Sequence, residues 1–355
     1  MRARATEGAC LATLVRMAVP LCQAAERQCP RTGPGRPPDF ADWVMAVLIM
    51  TAVLKKKKSK SAQYRFLYEH RAELMNWMEI EAFPGRTTYF DRYRRAHRLF
   101  EVAIRLQGLQ AVAEGIADPQ TIAVDKSLVA GRGPIWHRKD RAAGRIPPGL
   151  HGVDRDGTWG YSEHHGWVQG YSYEVVVTAT KGRTVFPMLA SADTASVREF
   201  RSFDAKIDQL PEDTDNVLAD TGYDKNEFAD RIEYHDGKRR TGRRFICPPN
   251  PRNRKEGRAS SCRRMSAVGS RRQQRIAFYR GRCGQRLYAR RSSTIEPFND
   301  WFKVLFELDE RVWHRGLDNN RTQILAAILD YQLLVRYNHR CGHKNGQVKW
   351  VLDQL

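Results

Sequence analysis

Two short apolar runs in this chain each end on a single aspartate, and this pattern limits the possible folds. Residues 217–219 lead into Asp220, and a Gly-Tyr turn that includes Gly222 follows at once. Residues 121–124 lead in the same way into Asp125. Runs of this kind are typical of strands buried on both faces, and glycine permits a sharp exit from the second one. The sequence therefore predicts two buried strands that deliver carboxylates to one edge of a sheet.

Two carboxylates held side by side repel each other unless a cation neutralises them. An arrangement of oxygen ligands alone is one that Mg²⁺ prefers, and Mn²⁺ can substitute for it. Asp125 and Asp220 are therefore candidate metal ligands. Either aspartate, taken alone, is equally explained as an ordinary turn or helix-capping residue.

A third acidic residue occurs in a predicted helix that begins near Thr294. Glu296 lies in the first turn, and Lys303 follows seven residues later, close to the same face. The buried stripe of this helix is predicted to consist of Ile295, Phe298, Phe302 and Leu305. Glu296 can thus reach the end of an adjacent sheet. The alternative is a first-turn acid favoured by the helix dipole, with Glu307 and Glu310 as less suitable candidates.

The charge of the chain points to a polyanionic partner. It has 60 Lys and Arg against 40 Asp and Glu, a net charge of +20 and a pI near 9.9. Self-repulsion of this size is unusual for an enzyme of small metabolites, and DNA or RNA would relieve it. Within residues 238–291 there are nineteen basic residues and one acid, Glu256. We expect this basic insertion, which spans about 236–291, to contact phosphate.

A membrane partner and an oxidising compartment are both disfavoured. The longest apolar run, residues 44–54, has about half of the roughly 20 residues needed to cross a bilayer. The seven cysteines are scattered and form no Cys-x-x-Cys pair. Reduced thiols in the cytoplasm are the expectation.

The pattern changes along the chain in a way that predicts four regions. Residues 1–33 show no clear pattern and are expected to form a loosely held extension. Residues 34–118 are predicted to be helical. Residues 119–340 alternate strands and helices and carry the acidic residues. Residues 341–355 are a C-terminal tail. Five strands are predicted, at residues 121–124, 173–179, 184–190, 217–219 and 244–247.

One segment of the helical region has the composition of a DNA-reading helix. Residues 84–96 interleave aromatic residues with arginines. Aromatic side chains would pack on one face while the arginines meet a phosphate backbone, as in a helix-turn-helix. The candidate DNA-binding residues are Arg86, Arg92, Arg94 and Arg95. A basic surface helix in a helical bundle explains the pattern equally well.

Together these features resemble the DDE transposases of bacterial insertion sequences over about residues 120–340. The matching pieces are Asp125, the turn at 220–223, Glu296 with Lys303 after six intervening residues, and the segment 315–321 with the apolar helix 324–335. The resemblance implies an α/β fold with an RNase H-like, mixed five-stranded sheet and flanking helices. It also implies an N-terminal helical DNA-binding region and a bacterial, nucleoid-associated location.

The resemblance further implies cleavage at the ends of the element and strand transfer into target DNA. In this interpretation two Mg²⁺ ions are held by Asp125, Asp220 and Glu296, and Lys303 binds a nearby phosphate. Bringing two DNA ends together implies a homodimer on DNA. The alternatives are a nuclease that cuts without joining, a DNA-binding protein derived from an inactive transposase, and a glycoside hydrolase, which has no need of this charge.

One departure from the family pattern concerns Tyr288 and Arg291. Family members with a Tyr-Arg-Glu-Lys signature place the arginine four residues before the glutamate and the tyrosine three before that. Here both residues lie one position further upstream, and Ser292 occupies the expected arginine position. Tyr288 and Arg291 are therefore retained only as candidate DNA contacts.

Overall fold

The fold is taken from a computed structural model that describes residues 2–29, 38–162, 166–235, 239–251 and 267–355. Its helices are α1 (Arg2–Arg27), α2 (Asp42–Leu54), α3 (Lys60–Glu69), α4 (Arg71–Met78), α5 (Arg86–Tyr93), α6 (His97–Ala113), α7 (Arg138–Ala142), α8 (Glu199–Asp204), α9 (Asn226–Glu233), α10 (Ala267–Arg280), α11 (Arg282–Ser292), α12 (Ile295–Leu305), α13 (Leu317–Arg340) and α14 (Val348–Gln354). Its strands are β1 (Thr121–Ala130), β2 (Thr158–Ser162), β3 (Gly166–Thr178), β4 (Pro187–Thr194), β5 (Asn216–Leu218), β6 (Tyr234–His235), β7 (Arg239–Arg240) and β8 (Arg244–Ile246).

Six of these strands form one mixed sheet. β1 lies between β3, to which it is antiparallel, and β5, to which it is parallel; β8 continues the parallel part beyond β5. On its other edge β3 pairs with both β2 and β4, each antiparallel to it. β6 and β7 form a separate two-stranded sheet. The predicted α/β class is confirmed, but the main sheet has six strands and not five, because the connection after β1 contributes β2.

The prediction that the first strand ends at Asp125 is wrong. β1 continues to Ala130 because its second half remains paired with β3. What ends near Asp125 is the parallel pairing with β5, whose last matched pair is Ala123 with Leu218. The opening of the sheet at this point, and not the end of the strand, makes room for the aspartate side chain and its partners.

A long helix, α13, forms the centre of the helical layer. Almost its whole length is buried, and it packs against α6, α2, α1 and β4. Residues 324–335 are mostly apolar. A helix that is apolar on most of its faces is expected to be buried on most sides. The helices of the N-terminal region therefore share one hydrophobic core with the sheet.

The N-terminal segment differs from the expected loose extension. Most of it forms α1, which packs against α2, α6 and α4. Its buried side chains recur at helical spacing: Leu11, Leu14, Val15, Ala18, Leu21, Cys22 and Ala25. The pattern is hidden in the sequence because several of these residues are small and Pro20 interrupts the run. The C-terminal segment also differs from a simple tail, since α14 buries Val348 and Val351 against α13.

The arginine-rich helix α5 is fixed by its aromatic side chains, as its composition predicts. Tyr89 and Tyr93 are fully buried. The hydroxyl of Tyr89 donates to Gln63 Oε1 at 3.0 Å, and that of Tyr93 lies 3.0 Å from His314 Nε2. The helix is thereby attached to α3 on one side and to the segment before α13 on the other.

Part of the basic insertion is held by ion pairs to the short helix α9 and to Asp224 just before it. Arg271, Arg272 and Arg275 of α10 contact Asp230, Asp224 and Glu233 at 2.7–3.3 Å. These three arginines are engaged within the protein, whereas the insertion was expected to contact phosphate. Residues 252–266 of the insertion lie outside the described residues. Within the described ranges, no helix combines the length and apolar character needed to span a bilayer.

Candidate active site

The register of the two parallel strands brings the two aspartates together. The matched pair Ala123–Leu218 is the last of the β1–β5 ladder, and Asp125 and Asp220 each lie two residues beyond it. β5 ends at Leu218, and a 3-10 turn over Thr221–Tyr223 follows. Asp220 Oδ1 accepts the Gly222 N–H at 2.8 Å, which fixes the turn. The predicted strand, aspartate and turn at 217–223 are thus confirmed as local structure.

Arg291 occupies the centre of the cluster. Its guanidinium donates to Asp125 Oδ1 at 2.8 Å and to Glu296 Oε1 at 2.7 Å. The Arg291 side chain is only 9% exposed, whereas that of Glu296 is 48% exposed. One buried cation therefore joins the acid of the sheet to the acid of α12. The sequence left Arg291 as a candidate DNA contact, and the structure places it between two predicted metal ligands.

The pKa of Asp125 is set mainly by its burial. Burial raises the pKa of Asp125 to about 6; the Arg291 guanidinium opposes this rise and the Asp220 carboxylate adds to it. A carboxyl group with a pKa near neutrality is typical of functional sites. Ion-pair formation with Arg291 alone is insufficient to keep this group strongly acidic.

A second residue of α12, Asn299, also holds Asp125. Its Nδ2 donates to Asp125 Oδ2 at 2.9 Å, so that both oxygens of the aspartate are engaged. Asn299 is 5% exposed, and its Oδ1 has no partner among the described residues. The sequence analysis missed this residue. Its position between Glu296 and Lys303, three residues after one and four before the other, was the available signal.

Lys303 lies on the same face of α12 and is half-buried. Burial lowers the pKa of its ammonium group, and the carboxylates of Asp300 and Asp125 oppose this change. The predicted helix, with Glu296 in its first turn and Lys303 two turns later, is confirmed. The residues of α12 nearest to Asp125 are therefore an acid, an amide and a cation.

A further carboxylate, Glu199, approaches from α8. Its Oε2 lies so close to Gly222 that a Cβ atom there would be 1.6 Å away, so a larger residue at this position would displace the Glu199 carboxylate. Burial raises the pKa of Glu199 to about 7; Asp220 adds to the rise and Lys126 opposes it. Gly222 was predicted to permit a sharp turn after the strand, and in the structure it also leaves room for the Glu199 carboxylate. Nothing in the sequence around Glu199 indicates this proximity.

Three largely buried polar side chains, Lys126, Glu174 and Tyr223, lie beside this acidic cluster, on the opposite face of β1. Lys126 and Glu174 are opposite each other in the β1–β3 register, and Lys126 Nζ donates to the carbonyl groups of Ala195 and Val197. The Tyr223 hydroxyl donates to Glu174 Oε1. Burial raises the pKa of Glu174 to about 8, while the Tyr223 hydrogen bond and Lys126 oppose the rise. This group joins β3 to the turn that carries Asp220.

The candidate DNA contacts differ in their surroundings. Arg86, Arg94 and Arg95 are exposed on α5 or just after it. Arg92 donates instead to the Asp42 carboxylate and the Phe40 carbonyl. Tyr288 packs edge-on against Tyr279, with ring centroids 5.2 Å apart. Their DNA-binding roles stay predictions. Arg92 and Arg291 form ion pairs while largely buried. Arg86 donates to Ser61 Oγ at 3.3 Å, and Arg94 lies 4.0 Å from Asp91, both on the exposed surface.

The donor set fits a hard divalent cation, since Asp125, Asp220 and Glu296 offer only carboxylate oxygens. Within the described part of the chain, no three acidic, histidine or cysteine side chains are arranged to hold a metal ion as they stand. The position of Arg291 explains this, because its guanidinium fills the space between Asp125 and Glu296. Metal binding by both acids therefore requires Arg291 to move.

A solved structure and a family model are each similar to this chain. A cryo-EM structure of a piggyBac transposase synaptic complex with hairpin DNA aligns with 96% of this chain and 76% of its own, at 11% sequence identity and a TM-score of 0.37, which is too low to support an argument. No curated protein matches the sequence. The family model of the transposase DDE domain matches residues 113–333, more than half of the chain. The chain belongs to the DDE transposase family.

Proposed function

We propose that this transposase cuts DNA at the ends of its element and joins the released ends to target DNA, using Asp125, Asp220 and Glu296. The observation that carries the proposal is the bridge from Asp125 through Arg291 to Glu296, beside Asp220. It shows that acids distant in sequence meet at one point. The mixed sheet with helices around it supports the RNase H-like architecture that the sequence predicts.

The cation for this chemistry would be Mg²⁺, with Mn²⁺ as a substitute, held by Asp125, Asp220 and Glu296. When bound, such ions polarise the phosphodiester and stabilise the charge that develops on the attacking and leaving oxygens. The protein supplies the carboxylates and holds Asp125 in one orientation through Asn299. Second-sphere hydrogen bonds of this kind typically set ligand orientation in metal sites.

Two cationic side chains would interact with phosphates of the bound DNA. Lys303 is half-buried near Asp125 and would bind a phosphate beside the cleaved bond as a point charge. Arg291 would neutralise the acidic cluster in the free protein. A phosphate of the bound DNA would offer Arg291 a partner in exchange for the carboxylates.

The remaining roles follow from charge and from the reaction. The exposed Arg86, Arg94 and Arg95 of the helical region would contact the DNA backbone. A reaction that joins two element ends to one target would involve a homodimer assembled on DNA. A bacterial cytoplasm, at the nucleoid, is the compartment in which such a substrate occurs.

The test is cleavage of a labelled duplex that carries the element's own flanking ends. We expect nicking at the element boundary with Mg²⁺, no nicking with EDTA, and no nicking by Glu296→Gln. The matched control is Glu310→Gln, because Glu310 is an exposed acid beyond the same helix. Binding without cleavage by the wild type would contradict the enzymatic proposal and favour a DNA-binding protein derived from an inactive transposase.

The products of the same reaction distinguish transposition from simple cleavage. Joined molecules of donor end and target DNA are expected when a target plasmid is present. Nicked ends that never join to target would indicate a metal-dependent endonuclease and would contradict the strand-transfer part of the proposal.

A further inference from the structure

The hairpin formed by β2 and β3 extends beyond the rest of the sheet. β2 pairs only with residues 166–170 of β3, whereas the partners β1 and β4 accompany β3 from Gly170 or Tyr171 onward. Before Gly170, β3 pairs along its length with β2. These two segments, residues 158–162 and 166–169, form a two-stranded ribbon. An isolated ribbon of two strands is only marginally stable in water, so its geometry depends on what holds its base.

The base of the ribbon is firmly attached to the protein. The Trp159 ring N–H donates to the Trp136 carbonyl at 3.0 Å, and the Trp136 backbone N–H donates to Gln169 Oε1 at 2.6 Å. The Trp136 ring is itself buried. Gly160 lies so close to Ala195 that a Cβ there would be 2.7 Å from the Ala195 carbonyl oxygen. The ribbon is therefore held in one position by specific contacts.

An aromatic pair remains uncovered on this ribbon. Tyr161 and Trp167 face each other across the two strands, with ring centroids 5.5 Å apart and planes at 64°. They are 61% and 56% exposed. Single exposed aromatic residues are common and need no explanation. A cross-strand pair held in place by a fixed ribbon, with each side chain more than half exposed, is a surface suited to a ligand with an aromatic face.

The surroundings of this pair are cationic. The Arg138 guanidinium lies over the Trp167 ring, 5.1 Å from its centroid, and the exposed Lys139 follows it on α7. Neither cation has a carboxylate partner among the described residues. The acids of this connection that the structure describes are engaged elsewhere: Asp140 with Arg145, Asp154 with the Tyr171 hydroxyl and the Gly316 N–H, and Asp156 with the Leu317 N–H; Glu163 lies outside the described residues. Positive charge therefore accompanies the aromatic surface.

We infer that Tyr161 and Trp167 form a stacking platform for an unpaired base of the DNA, and that Arg138 and Lys139 bind the adjoining phosphates. The inference rests on the proposed function, because it assigns part of the same DNA to a second place on the protein. Aromatic faces with nearby cations are the usual means of holding single-stranded nucleic acid, independent of sequence. A base inside an intact duplex has no free face, so the platform requires an unpaired one.

The sheet register gives the distance from this platform to the acidic cluster. Trp167 is eight residues along β3 from Val175, the residue opposite Asp125. At about 3.3 Å per residue the separation is at most roughly 26 Å, which corresponds to about eight base pairs of duplex. The platform would thus bind a base some distance from the cleaved phosphate, in the flanking or displaced strand.

The test compares two DNA probes: the element's flanking-end duplex fully paired, and the same duplex with a short single-stranded gap. The probes carry 2-aminopurine at successive positions to report stacking. The variants are Trp167→Ala, Tyr161→Ala and the conservative Trp167→Phe. The matched control is Trp350→Ala, because Trp350 is also 50% exposed but lies on α14, against His343. Thermal unfolding of each variant confirms that the ribbon change leaves the fold intact.

We expect Trp167→Ala to weaken binding to the gapped probe by about tenfold, as typical for loss of one base–aromatic stack, with little change for the paired probe. Trp167→Phe should retain most of the affinity, and Trp350→Ala all of it. Quenching of 2-aminopurine should be strongest at a position within about eight nucleotides of the cleavage point and should disappear in Trp167→Ala.

Equal affinity of Trp167→Ala and Trp350→Ala for the gapped probe would overturn the platform, even if the wild type cleaves DNA normally. Equal loss on the paired and gapped probes would also overturn it, since stacking needs an unpaired base. Failure of the wild type to bind or cut either probe would instead contradict the proposed function. Arg138→Gln tests the contribution of charge independently of the aromatic rings. It should lower the slope of log affinity against log salt concentration by about one, the value of one phosphate contact.

Discussion

Two clusters of arginines and carboxylates in this protein use the same chemistry with different balances of charge. Between α9 and α10, three arginines meet three acids, and both partners of each pair are largely buried. At the opening of the sheet, Arg291 alone meets Asp125 and Glu296, with Asp220 and Glu199 close by. The first cluster is charge-matched and the second has an excess of acids.

We propose that this difference separates a structural cluster from a functional one. A matched set of ion pairs attaches the basic insertion to the sheet domain. Its charges neutralise each other, so no further ligand is needed to balance them. An excess of buried acids costs stability. Burial raises the pKa of Asp125 to about 6 and that of Glu199 to about 7, and the Asp220 carboxylate adds to both shifts. A protein keeps such an arrangement where a cation or a substrate completes it. We therefore place the catalytic chemistry at the second cluster.

The largest expected effect is that of Asp125→Asn on cleavage. Loss of a metal ligand that supplies several kcal/mol should reduce the cleavage rate by at least about 10³-fold, while affinity for the element-end duplex is retained. The matched change in the other cluster is Asp230→Asn, which should cleave at the wild-type rate per folded molecule. Single-turnover cleavage and a gel-shift assay measure the two quantities. Cleavage by Asp125→Asn at the wild-type rate would contradict the assignment.

Asn299→Ala should reduce the cleavage rate by a smaller factor, about 10- to 100-fold. Asn299 orients Asp125 by a hydrogen bond and is not itself a proposed metal ligand. A residue acting through Asp125 should also shift the acidic limb of the pH–rate profile, which a purely structural role would leave in place. Asn299→Asp would add a further acid to the cluster and should not restore the rate. An unchanged pH profile in Asn299→Ala would argue against the positioning role.

Stability distinguishes the two clusters more finely. Arg275→Gln leaves Asp230 and Glu233 short of a partner and should lower the free energy of unfolding by about 2 kcal/mol. Arg291→Gln should also destabilise the protein, but millimolar Mn²⁺ should restore about 1–3 kcal/mol by binding the freed acids. Chemical denaturation with and without Mn²⁺ measures both. Equal responses of the two variants to Mn²⁺ would remove the distinction between the clusters.

The smallest expected effect is a gain in stability in Glu199→Gln. The pKa of Glu199 is raised from 4.5 to about 7, so the folded state holds this proton more tightly than the unfolded state. Stability therefore falls as pH rises from about 4.5 to 7, and the charged carboxylate is a cost above that range. Glu199→Gln should be about 1–2 kcal/mol more stable than the wild type at pH 8, after allowance for screening, and equal to it near pH 4. Denaturation at both pH values tests the sign.

The sequence predicts the positions of Asp125, Asp220 and Glu296 in the fold for a physical reason. Buried strands appear as apolar runs, and a lone acid at the end of such a run is conspicuous. The same rule missed α1, because its buried face consists partly of small residues and Pro20 interrupts it. It also ended β1 too early, since the pairing of its second half with β3 depends on a partner more than forty residues away.

The partners of the acids could not be predicted in this way. Arg291 reaches Asp125 only because the end of α11 lies beside the opening of the sheet. Glu199 approaches Gly222 through the packing of α8, which no local pattern indicates. Asn299 is the exception, because its spacing from Glu296 and Lys303 already places it on the same face of α12. The positions of Arg291 and Glu199 beside the acids depend on tertiary packing, which local sequence patterns do not report.

The most direct test compares Asp220→Asn with Asp224→Asn. The two aspartates are four residues apart, and Asp220 belongs to the acidic cluster while Asp224 pairs with Arg272 at 2.7 and 2.8 Å. The measurement is single-turnover cleavage of the element-end duplex in Mg²⁺, corrected for the folded fraction. We predict that Asp220→Asn binds DNA without cutting it and that Asp224→Asn cuts at the wild-type rate. Cleavage by Asp220→Asn at the wild-type rate would contradict the placement of the active site at the opening of the sheet.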